Sequence, residues 1–399
     1  MMRRSVVAGR WACLVLAAGL LAGCTAEAGN GGTSGSGASA SASAEAARPA
    51  SIAVVPSSGA ADVAPGEPVS VTATGGRLTE VTLRNPEGEA VPGALSADGT
   101  SWEFADGLGY GKQYTLTAVA VGGDGKQVTS TSTFTTVAKP RKTISVSLNM
   151  QDGETVGVGM PLIFTFNSKV ADRSAAERAL KVVTEPVTEG AFRWMSDSMV
   201  IWRPKDYWQP GTRISVEAAI YGKPLGGGAY GLEDRAAKIT VGDKVVVVAD
   251  GASHQAKVMV NDAEVRTLPI SMGKPGNTTP VGTYTVMSEH NGYTMDSGTY
   301  GVPADTPGGY RTFVKYAVRL SNSGIFYHSA PWSVGLQGRR NVSHGCINLS
   351  DANAKWLMDL SKKGDLFTVT NSGGQPLEPT DGWSVWQLPW TAWTTPTSS

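Results

Sequence analysis

From about residue 51 onward the chain is written in short runs that alternate apolar and polar residues at period two. "VSVTAT", "EVTLRN", "YTLTAVAV" and "STSTFTTV" are the first four. Alternation of this kind puts successive side chains on opposite faces of an extended strand, leaving one face to bury. Turn clusters such as "PEGEAVPG", "ADGTS" and "GGDGK" break the runs at intervals of about eight to twelve residues. A chain punctuated this often has no room for long helices. It must pair its strands into layered sheets, so the expected class is mainly β, with sandwich architecture. The 399 residues leave room for several such units, and the formal net charge of zero gives no electrostatic footprint for nucleic acid.

The first 24 residues are read as a targeting segment. Arg3, Arg4 and Arg10 precede an apolar run, Trp11 to Leu21, that is too short for a stable membrane span. The run closes on "LAGC", which resembles the lipobox of bacterial lipoproteins; the resemblance implies lipidation at Cys24. Residues 25–49 are rich in Gly, Ser and Ala and carry no core-forming pattern, as a tether of roughly 25–30 Å r.m.s. reach would. The expected location is the extracytoplasmic face of the membrane, held there by lipid.

Residues 50–140 form the first folded unit. Their strand pattern resembles bacterial immunoglobulin-like domains. Residues 141–243 repeat the theme with "TISVSLNM", "PLIFTFNS", "SMVIWRP" and "TRISVEAAIYG". A short helix is expected there, with Ser174 as its cap and Glu177 three residues on completing a capping box. Neither unit presents a chemical constellation, so each is expected to be a spacer or scaffold, with carbohydrate or partner binding as the alternative.

Residues 244–371 form the third unit. Strands are expected at "KVVVVAD", "AKVMVN", "EVRTLPIS", "GTYTVMS", "TFVKYAVRL", "GIFYHS" and "DLFTVTN". One helix is expected after Ser350 as N-cap, with Trp356, Leu357 and Leu360 on one face and Gly364 at C′. Residues 372–399 carry Trp383, Trp386, Trp390 and Trp393. A tail so aromatic is expected to pack back on a domain, here the third unit, with a cell-wall or membrane-surface contact as the alternative.

The chain has three cysteines. Cys13 leaves with the targeting segment and Cys24 is assigned to lipid, so Cys346 is left without a disulfide partner. It lies in "NVSHGCINLS". The residues alone leave three readings: a zinc ligand with His328 and His344, a small buried hydrophobe, or a nucleophile paired with histidine. Zinc is poorly supplied, since no carboxylate or further cysteine shares the stretch. His254 and His290 lie in turn-like polar contexts and are expected at the surface.

"HSAPWSVGLQGRRNVSHGCINL", His328 to Leu349, is similar to the signature of YkuD-type L,D-transpeptidases: a His, a spacer of about fourteen to seventeen residues, then Ser/Thr-His-Gly-Cys-hydrophobic-Asn. Ser343, His344, Gly345, Cys346, Ile347 and Asn348 fill every position, and "TTPVGTY", Thr278 to Tyr284, resembles a second element of the family. The preceding modules and lipobox resemble the actinobacterial, mycobacterial-type members. The resemblance implies a β-sandwich catalytic domain with one or two short helices. It makes Cys346 the nucleophile and His328 the general base and acid, oriented by the backbone carbonyl of Ser329. His344 and Gly345 would shape an oxyanion loop, and Ser343 and Asn348 would fix that loop and meet substrate. Met295, Tyr300 and Tyr310 would line a donor pocket under a flap, with Trp332 walling the cleft. Arg339 and Arg340 are either a seat for a substrate carboxylate or solvated loop charges. A sortase, which also uses Cys and His, needs an arginine after its cysteine, and none follows Cys346.

The expected activity is peptidoglycan cross-linking through an acyl-enzyme on tetrapeptide stems, with 3→3 links formed and D-Ala released. No metal or organic cofactor is implied. The expected partners are stem peptides, the membrane through the lipid, and carbapenem-type β-lactams as acylating inhibitors. The alternatives are L,D-carboxypeptidase or D-amino-acid exchange at the same site, or a non-catalytic wall-binding lipoprotein.

Overall fold

The computed structural model describes residues 48–395, except residue 105. Cys24 and its tether lie outside the described residues. Strands dominate, as the period-two pattern requires, and they gather into three successive units.

The first unit is two four-stranded sheets. Strand Gln113–Gly122 buries every second residue, and Leu116, Ala118 and Ala120 join Leu83, Trp102 and Phe134 in the core. The second unit also packs two four-stranded sheets. Its core includes Phe164, Val200, Trp208 and Val216. Its short helix, Arg173–Arg178, begins two residues earlier than the sequence suggests. Asp172, not Ser174, is the N-cap and accepts the Ala175 N–H. Glu177 does not close a capping box, because its carboxylate takes the indole N–H of Trp194 instead.

The third unit carries strands β1 (Val245–Asp250), β2 (Gln255–Val260), β3 (Ala263–Pro269), β4 (Gly282–Thr285), β5 (Ser288–Asp296), β6 (Arg311–Arg319), β7 (Phe326–Ser329), β8 (Ile347–Leu349) and β9 (Leu366–Thr370). One sheet has the order β3-β2-β1-β9-β4 and the other β5-β6-β7-β8. The sheets share a core that includes Tyr284, Val318, Tyr327 and Phe367. The helix Asp351–Leu360 lies against β6 and β7, with Ser350 capping it as expected. It ends at Ser361 rather than running on to a C′ glycine, since the Ser361 hydroxyl donates to the Leu357 carbonyl. Gly364 has another use. At φ +92° it lies so close to the second unit that a Cβ would strike Met160 and the Gly157 backbone.

The second and third units are joined by backbone. Gly157 and Gly159 N–H groups donate to the carbonyls of Lys363 and Gly364, and Leu366 of β9 enters the second unit's core. The tail divides between two units. Its first part lies on the catalytic unit as expected, with Leu377 in that core, Gln375 and Leu377 hydrogen-bonded to the Val281 backbone and Asp381 accepting from Ser323. Gln387 also donates to the Thr283 carbonyl, but the tryptophans pack chiefly on the second unit. Trp393 is buried with Ile163 and Ile201. The Arg203 guanidinium sits 4.7–5.5 Å from the ring centres of Trp386, Trp390 and Trp393. The physical reason is that the outer face of that sheet is apolar (Ile163, Met195, Met199, Ile201) and needs a cover.

Candidate active site

Strands β7 and β8 run parallel, with Tyr327 opposite Ile347 and His328 opposite Asn348. Alternation then puts Phe326 and His328 of β7 on the same sheet face as Asn348 and the preceding Cys346. Tyr327 goes the other way into the core, where its ring stacks on Phe367. The strand pairing therefore brings together two residues far apart in sequence. His328 and Cys346 line one pocket of about 170 Å³, with Met295, Tyr310, Thr312, Val314, Trp332, His344 and Asn348.

His328 is 5% exposed, and its Nδ1 lies 2.9 Å from the Ser329 carbonyl oxygen. A carbonyl only accepts, so Nδ1 carries the proton and Nε2 keeps its lone pair. Burial holds the imidazole below its ordinary value, and the Ser329 carbonyl opposes that shift. Ser329 has a second task that the motif does not reveal. Its hydroxyl accepts the N–H groups of both Lys315 and Tyr316. The burial alternation of β6 changes phase between Val314 and Ala317, so Val314 and Ala317 both face the Cys346 cluster. Ser329 thus satisfies the backbone at the irregularity that lets β6 wall the pocket.

Cys346 is 7% exposed, and its thiol donates to the Gly324 carbonyl at 3.4 Å. Burial pushes the thiol up to about 11, against the smaller pull of the Phe326 N–H and the Arg319 charge. An adjacent imidazole is expected to raise the thiolate fraction, but here desolvation wins. Burial thus raises the thiol and lowers the imidazole, so at both groups it favours the neutral form.

The loop that carries Cys346 is braced from within and from behind. Ser343 Oγ donates to the Cys346 carbonyl at 2.6 Å and accepts the Gly345 N–H at 3.1 Å. Ser343 is buried and is not among the pocket's lining residues, and its hydroxyl is spent on fixing the loop. Gly345 has φ +131°, a backbone conformation that a side chain would strain. Thr279 was legible only as part of "TTPVGTY". Fully buried, it donates from Oγ1 to the Gly345 carbonyl at 2.6 Å and accepts the Gly273 N–H at 3.0 Å. His344 stacks on Tyr310 with ring centres 5.4 Å apart, and its Nε2 lies 3.2 Å from Lys274 Nζ.

Four other sequence-derived residues reach the pocket: Met295, Tyr310, Trp332 and Asn348. Trp332 is 58% exposed, its ring 6.1 Å from that of His328. Asn348 donates its side-chain N–H to Ser333 Oγ. The Tyr300 side chain lies outside the described residues. Arg339 and Arg340 are exposed and do not line the pocket. His254 and His290 are half-buried rather than superficial, hydrogen-bonded to Asn341 and Ser288 respectively. Among the described residues no group of three His, Cys, Asp or Glu is placed to hold a metal ion.

Comparison with known proteins agrees with this geometry. Residues 244–370 match the L,D-transpeptidase catalytic domain, and residues 60–224 match a bacterial Ig domain that spans both modules. The chain is 44% identical to L,D-transpeptidase 2 of Mycobacterium tuberculosis, over 84% of its own length and 82% of that protein. It is 38% identical to L,D-transpeptidase 5 of the same species, over 85% and 75% of the two chains. A solved structure of the L,D-transpeptidase LdtMt1 in complex with imipenem covers 58% of this chain and all of its own, with 39% identity and a TM-score of 0.50. On its catalytic motif, its domain order and these likenesses, the chain belongs to the L,D-transpeptidase family.

Proposed function

We propose that this enzyme forms 3→3 cross-links in peptidoglycan by cysteine acyl chemistry. The observation that carries the reading is the pairing of His328, its Nε2 unprotonated, with Cys346 on one sheet face and in one pocket. Cys346 Sγ attacks the carbonyl of the third residue of a tetrapeptide stem while His328 Nε2 takes the thiol proton. A C–S bond forms, and the C–N bond to D-Ala breaks as His328 returns the proton to the leaving amine. The side-chain amine of a third residue on another stem then attacks the thioester. Its proton passes to Nε2, and the sulfur leaves to recover the thiol. Proton transfer in step with attack suits a thiol that burial keeps neutral.

The tetrahedral oxygen would be met by backbone N–H groups of the nucleophile loop. The Gly345 N–H is engaged by Ser343, which leaves those of His344 and Cys346 for the task. Lipidation at Cys24 places the catalytic unit outside the membrane, tethered to it. A carbapenem, whose strained amide meets the same thiol, acylates Cys346; the imipenem complex of a relative supports this.

Intact mass spectrometry of the ectodomain tests the reading. With disaccharide-tetrapeptide, the expected products are an acyl-enzyme on Cys346 and a cross-linked dimer. No adduct on the wild type, or one that survives Cys346→Ala, overturns it. Tripeptide as the sole product makes the enzyme a carboxypeptidase.

A further inference from the structure

We propose that Lys274 is a specificity-determining residue, its ammonium receiving a free carboxylate of the peptide stem at the rim of the pocket. This rests on the transpeptidase reading above and extends it to a residue outside the catalytic motif.

Lys274 is held against the nucleophile loop by backbone, not by chance contact. Its N–H donates to the Ser343 carbonyl at 3.0 Å, and Gly273 bridges Ser343 in parallel. Its own carbonyl accepts the Asn277 N–H, which closes a tight turn. Gly273 has no room for a side chain, because a Cβ would meet the Asn277 carbonyl. The stem of Lys274 therefore starts from a fixed point beside Cys346.

The residue is half-buried, while its ammonium contact with His344 lies at the exposed rim. It spends one donor on His344 Nε2 at 3.2 Å, and no carboxylate pairs with it among the described residues. An ammonium only donates, so His344 Nε2 is the bare nitrogen and Nδ1 carries the proton. The neighbouring cation also discourages a second proton on that ring, adding to the effect of burial. The result is a cation with a neutral partner, one contact from the pocket wall, with two N–H donors to spare. Such a group seeks an anion. The substrate of the proposed reaction carries carboxylates, and Lys274, itself not a lining residue, touches His344, which is one; Arg339 and Arg340, the cations nearest the motif in sequence, are exposed and do not line the pocket. His344 and Tyr310, stacked together, aim the ammonium and stop it folding away.

Two stem carboxylates fit this chemistry: the C-terminal one and that of the third side chain. Steady-state kinetics with stems amidated at one or the other distinguishes them. Lys274→Met should raise KM about tenfold or more for the stem with free carboxylates while kcat changes much less. Lys274→Arg should stay near wild type. The wild type should lose a similar factor when the recognised carboxylate is amidated, and Lys274→Met should lose nothing further. Equal losses on free and amidated stems, or an unchanged KM, overturn the proposal. Circular dichroism and the unfolding midpoint report that the variants are folded. If the wild type itself forms no acyl-enzyme, the cross-linking reading fails instead, which this design separates from failure of the Lys274 assignment.

Discussion

The second unit and the catalytic unit are built alike, each from two sheets with alternating buried faces. They differ in what polar matter they bury. In the second unit the buried polar side chains are Arg203 and Thr212, whereas the catalytic unit buries Ser271, Thr279, His328, Ser329, Ser343, Asn348, Asp365 and others. Burying a polar group without a partner costs free energy, so a unit that only spaces or supports avoids it. The catalytic unit accepts the cost and partners most of these groups with one another: Ser343 with Cys346, Thr279 with Gly345, Ser333 with Asn348. Chemistry and support thus differ in polar wiring far more than in fold.

That contrast can be broken at graded strengths. Cys346→Ala should abolish acyl-enzyme formation outright, read by intact mass. His328→Gln should slow acylation by about 10²–10⁴-fold with the fold intact by circular dichroism. The pH profile sharpens the same point. A protonated imidazole cannot take the thiol proton, and burial lowers the His328 value. Acylation should therefore persist below the ordinary histidine value of about 6.5 and fail only as pH drops through the depressed one. A half-loss at or above 6.5 would contradict the neutral buried pair. Thr279→Val should cost about 1–3 kcal/mol in urea melts and lower kcat together, since it orphans the Gly345 carbonyl and Gly273 N–H.

Arg203→Met tests the exception on the supporting side. It should loosen the tail and destabilise the joined second and third units by about 1–2 kcal/mol, with acylation by a carbapenem nearly unchanged. The smallest effect on chemistry belongs to Ser132→Ala in the first unit. The Ser132 hydroxyl donates to the Pro56 carbonyl in a buried setting. Its loss should cost about 1 kcal/mol in that unit and leave kcat alone.

Strand positions were legible because half-buried strands write their burial as alternation, and Cys346 with His328 was legible because the motif spacing is specific. The helix cap at Asp172 was not, since Ser174 and Asp172 both satisfy the local rule and only the claim of Trp194 on Glu177 decides between them. The bracing roles of Thr279 and of the Ser329 hydroxyl were hidden for a different reason. Their partners come from distant strands, and no local pattern encodes which backbone groups the fold will leave wanting. The tail's seat was equally non-local, because the apolar outer face it covers comes from strands that also satisfy an inner core. Lys274 carries no signal in its own sequence; only the fold sets its ammonium against His344.

The burial of Cys346 has a consequence for the enzyme's lifetime. If the enzyme works outside the cytoplasm, as proposed above, it has no thiol buffer, and it is the thiolate form that reacts with peroxides and stray disulfides. Burial, which pushes the thiol up to about 11, keeps Cys346 predominantly in its protonated form at neutral pH. The sulfur is also shielded from bulk solvent and hydrogen-bonded to Gly324. The site therefore keeps its nucleophile chemically silent until a substrate carbonyl arrives, which protects the thiol from oxidative inactivation.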